Sequence, residues 1–200
     1  MIFVWNNYIA ELYSRNKDGD NMALAFEKIY TTEDIYELPE GKRAEIIDGR
    51  MFLMAPPSKR HQEIVGELYR IISNFIYENK GLCRPFIAPF AVFLEDDKNY
   101  VEPDIVVICD QNKLNDKGCS GTPDWIIEVV SPSSHRMDYM IKLFKYRTAG
   151  VREYWIVDPK DNSISVYNFE NETMERYSFF DTVKAGIYDN FEIDFSKLKI

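Results

Sequence analysis

The chain has 200 residues, of which 46% are apolar, 14% aromatic and 28% charged, a composition typical of one globular domain. It contains no apolar run of about 18 residues, the length that a membrane-spanning helix needs, and its amino terminus lacks the basic start and the apolar core of a signal peptide. The net charge of −9 argues against a general nucleic-acid coat protein, because phosphate binding depends on Lys and Arg, but a nuclease with a local basic face is still possible. We therefore expect a cytoplasmic protein with no membrane association.

The three cysteines, Cys83, Cys109 and Cys119, are odd in number and form no CxxC pair. This pattern argues against a disulfide scaffold and against a structural zinc site. We expect free thiols in a reducing compartment.

The first 21 residues end in SRNKDGDN, a polar and glycine-containing stretch that is typical of a linker, and Met22 follows at once. We expect residues 1–21 to be a leader or extension that the fold does not need, and residues 22–200 to form the domain. Removal of residues 1–21 should accordingly leave the fold and the activity nearly intact.

A short helix and a hairpin are predicted first. Thr31 or Thr32 is the expected cap of the helix, which carries Asp and Glu in its first turn. The strands RAEIID and RMFLMA then flank a turn at Asp48 and Gly49, two residue types that tolerate positive φ.

A long helix follows, with Ser58 as its expected N-cap and an apolar stripe at helical spacing. Strands are predicted next at RPFIAPFAVFL, DIVVIC and WIIEVV, and a second helix over residues 135–149 is expected to bury Met137, Ile141 and Phe144. The strand REYWIVD and a meander formed by SISVYNF and TMERYSF complete the domain. The pattern predicts a mixed sheet with helices before it and within it.

Two carboxylates stand in or beside buried strands. Asp104 directly precedes the apolar run IVVIC, and Glu128 lies inside WIIEVV. An isolated buried carboxylate costs several kcal/mol unless it is neutralised, hydrogen-bonded or bound to a cation. If the two strands are neighbours, both acids converge on one point, and a main-chain carbonyl such as that of Val129 adds a third oxygen. Such ligands are typical of Mg²⁺ or Mn²⁺.

Other polar residues could join this site. Lys142 lies on the helix after the second acid and could offer a positive charge, although taken alone it has the pattern of a helix-face lysine paired with Asp138 at i,i+4. Glu45, inside RAEIID, is a third acid in an apolar strand. His61 and His135 stand near helix starts without a nucleophile or further ligand beside them, and we expect both on the surface.

The motifs AEIIDG, APPSKRHQEIV, VEPDIVV, WIIEVVSPSS and DYMIKLFKYRTAGVREYWIVDP, in this order, resemble the Uma-two family of restriction endonucleases, a branch of the PD-(D/E)xK nuclease superfamily. The resemblance runs from about Tyr30 to the carboxyl terminus. It implies an α/β fold, with a restriction-endonuclease-like core of a mixed β-sheet flanked by helices. It also implies DNA as the substrate and a homodimer.

The resemblance implies roles for individual residues. Asp104 and Glu128 correspond to the metal-binding acids, and Glu45 to the acid that the superfamily often contributes from its first core elements. The superfamily's lysine should stand two residues after the second acid, but Val130 occupies that position. Lys142 matches a lysine that has migrated to the following helix.

The leading hypothesis is a Mg²⁺-dependent DNA endonuclease that hydrolyses phosphodiester bonds. The main alternative, favoured by Val130 and the acidic net charge, is a catalytically inactive nuclease-like domain that binds nucleic acid or a protein partner. A glycoside hydrolase with two carboxylates is a third possibility, but the sequence shows no aromatic-lined sugar platform.

Overall fold

The computed structural model describes residues 28–199, so the predicted leader, residues 1–21, lies outside the described residues. The helices are α1 (Thr32–Tyr36), α2 (Lys59–Glu78) and α3 (Leu143–Ala149), which continues a π-helical segment, Met137–Lys142. The strands are β1 (Ala44–Ile47), β2 (Arg50–Leu53), β3 (Arg84–Ile87), β4 (Val92–Phe93), β5 (Tyr100–Val101), β6 (Ile105–Ile108), β7 (Leu114–Asn115), β8 (Gly118–Ser120), β9 (Trp125–Val129), β10 (Glu153–Asp158), β11 (Ser163–Asn168), β12 (Thr173–Ser178), β13 (Thr182–Lys184) and β14 (Glu192–Asp194). Two short 3₁₀ helices, Gln111–Lys113 and Phe195–Lys197, complete the secondary structure of this range.

The strands form two six-stranded sheets and a separate hairpin. The central sheet has the order β12-β11-β10-β9-β6-β3, and the second sheet has the order β2-β1-β5-β4-β8-β7. In the central sheet β9 and β10 are parallel, whereas its other neighbours are antiparallel. The predicted α/β class and mixed sheet flanked by helices are therefore confirmed. The predicted pairing of SISVYNF with TMERYSF is also found, as β11 with β12, but β13 and β14 follow it, so it does not end the chain.

Local signals in the sequence predict several elements correctly. The turn between β1 and β2 has Asp48 at φ 50° and Gly49 at φ 75°, the positive values that this hairpin turn requires. Thr31 caps α1 through a capping box with Asp34. The Ser58 side chain accepts a hydrogen bond from the main-chain N–H of His61 and so caps α2.

The central sheet is covered on both faces. Helix α2 packs its apolar stripe against the face that carries Trp125 and Ile127, and the C-terminal hairpin joins the same core. Successive residues of β9 alternate between faces, so Ile126 and Val130 face the second core, formed with the second sheet and α3. Glu128, between them, shares that second face. Full burial of each large apolar side chain stabilises the fold by about 1.5–3 kcal/mol, so these two cores hold the strands in register.

The structure corrects the prediction of three free thiols. Cys83 and Cys109 form a disulfide, and Cys119 is free and buried. Strands β3 and β6 pair antiparallel with Arg84 opposite Ile108, so the next residues outward, the two cysteines, face each other. This cross-link, between residues 26 positions apart in sequence, restricts the unfolded chain and contributes about 3.5 kcal/mol by the loop-entropy account.

The helix over residues 135–149 has the predicted bounds but not the predicted buried face. Phe144 is 68% exposed, and Met137 and Ile141 are only partly buried. The middle of this helix, Met137–Lys142, is π-helical, and its wider turns hold more residues in each turn than those of an α-helix. This change of phase brings Tyr146, with no exposed surface, to the position facing the core.

One buried carboxyl lies away from the predicted site. Glu153 begins β10 with no exposed surface, and its carboxylate accepts hydrogen bonds from the Trp155 indole (2.5 Å) and the Asn168 amide (3.5 Å). Burial raises the pKa of Glu153 from 4.5 to about 7, although hydrogen bonds, including those from the main chain of Gly186 and Ile187, oppose the increase. A Cβ atom on Gly186 would stand 2.4 Å from this carboxylate, so the close approach requires glycine.

Stability is expected to fall as pH rises through the window set by Glu153. The folded state keeps the proton up to a pH of about 7, whereas the unfolded chain releases it near 4.5, so the free energy of unfolding decreases between these values. The expected decrease is roughly 2–4 kcal/mol. Urea unfolding at intervals between pH 4.5 and 8 measures it, and Glu153→Gln should flatten that part of the curve. An unchanged pH dependence in the variant would assign the effect to other carboxyl groups.

Candidate active site

The predicted acids lie close together at one end of two inner strands of the central sheet, where β6 begins and β9 ends. The two strands run antiparallel with Ile105 opposite Ile127, which brings Asp104 beside the end of β9. The Asp104 main-chain N–H donates to Glu128 Oε2 at 3.4 Å, and the Val129 N–H donates to Asp104 Oδ2 at 2.8 Å. The predicted adjacency of these strands is therefore confirmed.

Lys142 connects two of the acids. Its Nζ lies 2.9 Å from a carboxylate oxygen of Glu45 and 2.9 Å from Glu128 Oε1, and all three side chains are only 5% exposed. The Tyr146 hydroxyl donates a third hydrogen bond to Glu128 Oε1 at 2.9 Å. The predicted orientation of Lys142 toward the carboxylates is confirmed, and Glu45 joins the same cluster.

Asp138 is a further acid of this cluster. Its Oδ1 lies 3.9 Å from Lys142 Nζ, and its Oδ2 accepts a hydrogen bond from the Ser134 hydroxyl at 2.6 Å. The alternative i,i+4 pair of Asp138 with Lys142 is therefore present, but it is buried in the cluster and does not lie on the surface. The sequence could have indicated that Asp138 joins the site, because Asp138 and Lys142 are one helical turn apart and lie on the same face of the helix, distinct from the predicted apolar face.

His61 is also part of the site, and its predicted surface position is wrong. Only 8% of the residue is exposed, and its Nε2 lies 3.1 Å from Asp104 Oδ2. The spacing could have revealed this, because His61, Ile64 and Leu68 follow one another at i, i+3 and i+7 on the buried face of α2. His135, by contrast, is 59% exposed in its side chain, as predicted.

A second layer of polar residues holds Glu45. The main-chain N–H of Glu102 donates to Glu45 Oε1 at 3.0 Å. The Glu102 carboxylate in turn accepts hydrogen bonds from the Tyr100 hydroxyl (2.5 Å) and from Arg43 Nε (2.8 Å). Glu102 thus connects β5 to Glu45 of β1. It supports the site indirectly, because it holds Glu45 in place.

Val130 occupies the position of the superfamily's lysine. It is buried in the second core, and its main-chain N–H donates to the Val157 carbonyl at 2.8 Å in the neighbouring strand. The apolar side chain fills the core, and Lys142 brings the positive charge to the acids from the adjacent helix instead.

Comparison with known proteins identifies the family to which the chain belongs. The Uma2 family model, which is described as "Putative restriction endonuclease", matches residues 32–194. The chain belongs to the Uma2 family. A solved structure of a putative nuclease belonging to DUF820 from Anabaena variabilis is similar to it with a TM-score of 0.69 and 19% identity, over 84% of this chain and 96% of that chain. An uncharacterized protein from Synechocystis sp. is 25% identical over 134 residues, 66% of this chain and 70% of that protein.

These comparisons confirm the predicted resemblance and fold. The match spans nearly the whole range that the motifs predicted, and the Anabaena protein shares the overall architecture. Between residues 28 and 199 of this Uma2 chain, none of the helices has the length and hydrophobicity of a membrane-spanning segment.

The site of this Uma2 chain carries more carboxylates than cations. Burial raises the pKa of Glu128 well above its usual value, and the charges of Asp104, Asp138 and Glu45 add to this effect, whereas Lys142 opposes it. Burial likewise raises the pKa of Asp138 to about 6. The carboxylates outweigh the effect of burial on Lys142 and raise its pKa, so this lysine stays charged. A divalent cation would relieve the remaining repulsion between the acids.

The charges of the same acids also affect the pKa of His61. Burial lowers the pKa of its imidazole, but the hydrogen bond and the charge of Asp104, together with the main chain of Val129, outweigh that effect and raise the pKa above its usual value. The other ring nitrogen, Nδ1, is buried and has no hydrogen-bond partner in the described part of the chain.

The donor atoms suit a hard cation. Across residues 28–199, no group of three or more His, Cys, Asp or Glu side chains is arranged to hold a metal ion. Two carboxylates, a main-chain carbonyl and waters suffice for Mg²⁺ or Mn²⁺, which keep several waters in proteins. Asp104 Oδ1 accepts no hydrogen bond from the described residues, and the side chain is 18% exposed. For such an ion, the candidate ligands are Asp104, Glu128 and the Val129 carbonyl, as the sequence predicts.

Proposed function

We propose that this Uma2 chain is a Mg²⁺- or Mn²⁺-dependent endonuclease that hydrolyses phosphodiester bonds in DNA. The observation that carries the proposal is the buried contact of Lys142 with Glu45 and Glu128, at 2.9 Å each, beside Asp104, whose Oδ1 accepts no hydrogen bond within residues 28–199. Membership in a family described as putative restriction endonucleases supports it, as does the fold shared with the putative nuclease from Anabaena variabilis.

Each residue of the site has a distinct part in this proposal. Asp104 and Glu128, with the Val129 carbonyl, would hold the cation, and a cation bound there would supply Lewis-acid chemistry, that is, polarisation of the phosphodiester and a lowered pKa for a bound water. Lys142 provides a fixed positive charge to the attacking water or to the negative charge that develops on phosphorus oxygens. Glu45 keeps the Lys142 ammonium in place, because the two are in contact within a buried cluster.

Basic side chains around the site fit a phosphate backbone. Arg60, in the first turn of α2, bonds to Asn162 Oδ1 at 2.9 Å and so lies over the turn between β10 and β11, where Lys160 is exposed. His135 Nε2 lies 3.9 Å from Asp158 at the end of β10, which places the adjacent, exposed Arg136 near the same turn. Within residues 28–199, Arg136 and Lys160 form no ion pair. They are free to contact phosphates, which contribute most of the non-specific affinity for DNA.

The second candidate function is a catalytically inactive domain that binds nucleic acid or a protein partner. Val130 favours it, because the position of the superfamily's lysine is apolar and buried. The predicted cytoplasmic location and homodimeric state remain predictions in both cases.

Incubation of the purified protein with supercoiled plasmid tests the proposal. We expect nicked and linear products with Mg²⁺ or Mn²⁺ and none with EDTA. Plasmid binding without cleavage under every cation condition would favour the inactive domain. If the plasmid is neither bound nor cleaved, the endonuclease proposal and the nucleic-acid-binding form of the alternative are both contradicted, and only a protein-binding domain is left.

A DNA-binding measurement tests whether the basic surface formed by Arg136 and Lys160 contacts DNA. The double variant Arg136→Glu and Lys160→Glu should weaken binding to a DNA duplex by roughly tenfold or more and lower its salt dependence. The matched control is Lys42→Glu with Lys184→Glu, which changes the net charge equally at exposed positions outside this surface. Fluorescence anisotropy at several salt concentrations measures both, and equal weakening would mean that only net charge matters.

A further inference from the structure

His61 is held firmly where it meets Asp104. The Ser58 hydroxyl oxygen accepts a hydrogen bond from the His61 main-chain N–H at 3.2 Å, which fixes the first turn of α2. Ile64 and Leu68, with no exposed surface, anchor the same face of the helix against the central sheet. The imidazole, of which only about a tenth is exposed, therefore has little freedom to choose another partner.

The contacts of Asp104 are divided unequally between its two oxygens. Oδ2 accepts from the Val129 N–H at 2.8 Å and lies 3.1 Å from His61 Nε2, whereas Oδ1 has no hydrogen bond within residues 28–199. Asp104 stands just before β6 and its side chain is partly exposed, so the described contacts of the carboxylate are those that Oδ2 makes with the Val129 N–H and with His61. Nearby carboxylates repel it toward solvent. A donor on Oδ2 opposes this repulsion and keeps Oδ1 available.

We propose that His61 is a positioning residue, which holds Asp104 by Oδ2 so that Oδ1 is free to bind the divalent cation. The inference rests on the proposed function and deepens it. The contact requires a proton on Nε2, and both the neutral imidazole with that tautomer and the imidazolium provide one. Hydrogen bonds that orient metal ligands in this way typically change metal affinity by about 10- to 100-fold.

Two substitutions of similar size separate the hydrogen bond from packing. His61→Leu fills the space and suits the apolar face of α2 but has no donor, whereas His61→Gln retains an N–H donor near the position of Nε2. The matched control is His135→Leu at the other, exposed histidine. Isothermal titration of each metal-free, full-length protein with Mn²⁺ measures the dissociation constant, and DNA cleavage at rising Mn²⁺ measures kcat and the KM for DNA.

We expect His61→Leu to weaken Mn²⁺ binding by about 10- to 100-fold and His61→Gln to recover most of the loss. The KM for DNA should stay near the parent value, and excess Mn²⁺ should restore much of the cleavage rate. His135→Leu should bind Mn²⁺ as the parent does. A purely structural role would instead lower the melting temperature of His61→Leu without a selective effect on Mn²⁺ affinity.

The inference is overturned if His61→Leu binds Mn²⁺ as tightly as the parent, or if His61→Gln is as weak as His61→Leu. It is also overturned if the parent binds no Mn²⁺, or if Asp104→Asn leaves Mn²⁺ affinity unchanged. A parent that binds Mn²⁺ through Asp104 and His61 but cuts no DNA would support the positioning role of His61 and refute the endonuclease proposal.

Discussion

Replacement of Lys142 by methionine should lower the free energy of unfolding by about 3–5 kcal/mol and abolish cleavage. Methionine fills most of the volume of the lysine stem, but it leaves Glu45 and Glu128 buried without the cation that contacts both at 2.9 Å. A buried ion pair that loses one partner destabilises the fold mainly through the uncompensated charge that remains. Urea unfolding at neutral pH measures the change.

Lys145→Met is the matched control for this substitution. Lys145 follows Lys142 on the same helix and is also buried, but it pairs with Asp48, whose side chain is 65% exposed. Water can solvate Asp48 when its partner is lost, so the expected destabilisation is about 1 kcal/mol or less. Equal destabilisation by both substitutions would mean that Lys142 contributes through packing rather than as the counter-ion of the acids.

Asp104→Asn should remove both the cation response and the activity while leaving the metal-free protein at least as stable as the parent. The parent should gain roughly 1–3 kcal/mol from Mn²⁺ at about ten to a hundred times the dissociation constant. The variant loses a ligand, and its neutral side chain also relieves repulsion with Glu128. We expect cleavage to fall by at least roughly 10²- to 10³-fold. Thermal melts with EDTA or Mn²⁺, together with plasmid cleavage, measure both effects.

Asp110→Asn provides the control for the loss of one carboxylate. Asp110 lies beyond the opposite end of β6, where it caps the 3₁₀ helix by accepting a hydrogen bond from the Asn112 N–H. Asparagine caps helices as well, so this variant should keep the parent's stability, cation response and cleavage. An equal response to Mn²⁺ in Asp104→Asn and the parent would show that the cation binds elsewhere in the chain.

The candidate site was only partly predictable from sequence. Asp104, Glu128, Glu45 and Lys142 were predicted as a cluster, and the structure brings them together. Asp138 and His61 were missed, although both stand at helical positions that face the core. A helical stripe of mostly apolar residues indicates a buried face, but it does not indicate which polar group of another element will meet the polar residue on it.

The sequence by itself determined the local structure and the family. The Asp48–Gly49 turn, the Ser58 cap and the alternation that buries Glu128 follow from residue types within a few positions of one another. The motif order was also sufficient to predict the Uma2 family.

Only the tertiary structure decided which distant residues meet. The contact of Lys142 with Glu45 spans 97 positions of the chain, that of His61 with Asp104 spans 43, and the Cys83–Cys109 disulfide spans 26. Each depends on strand order, on pairing register and, for Lys142, on the phase of a π-helical segment. These features are set by the packing of the whole core, because a shift of one residue in register turns every side chain of a strand to the other face.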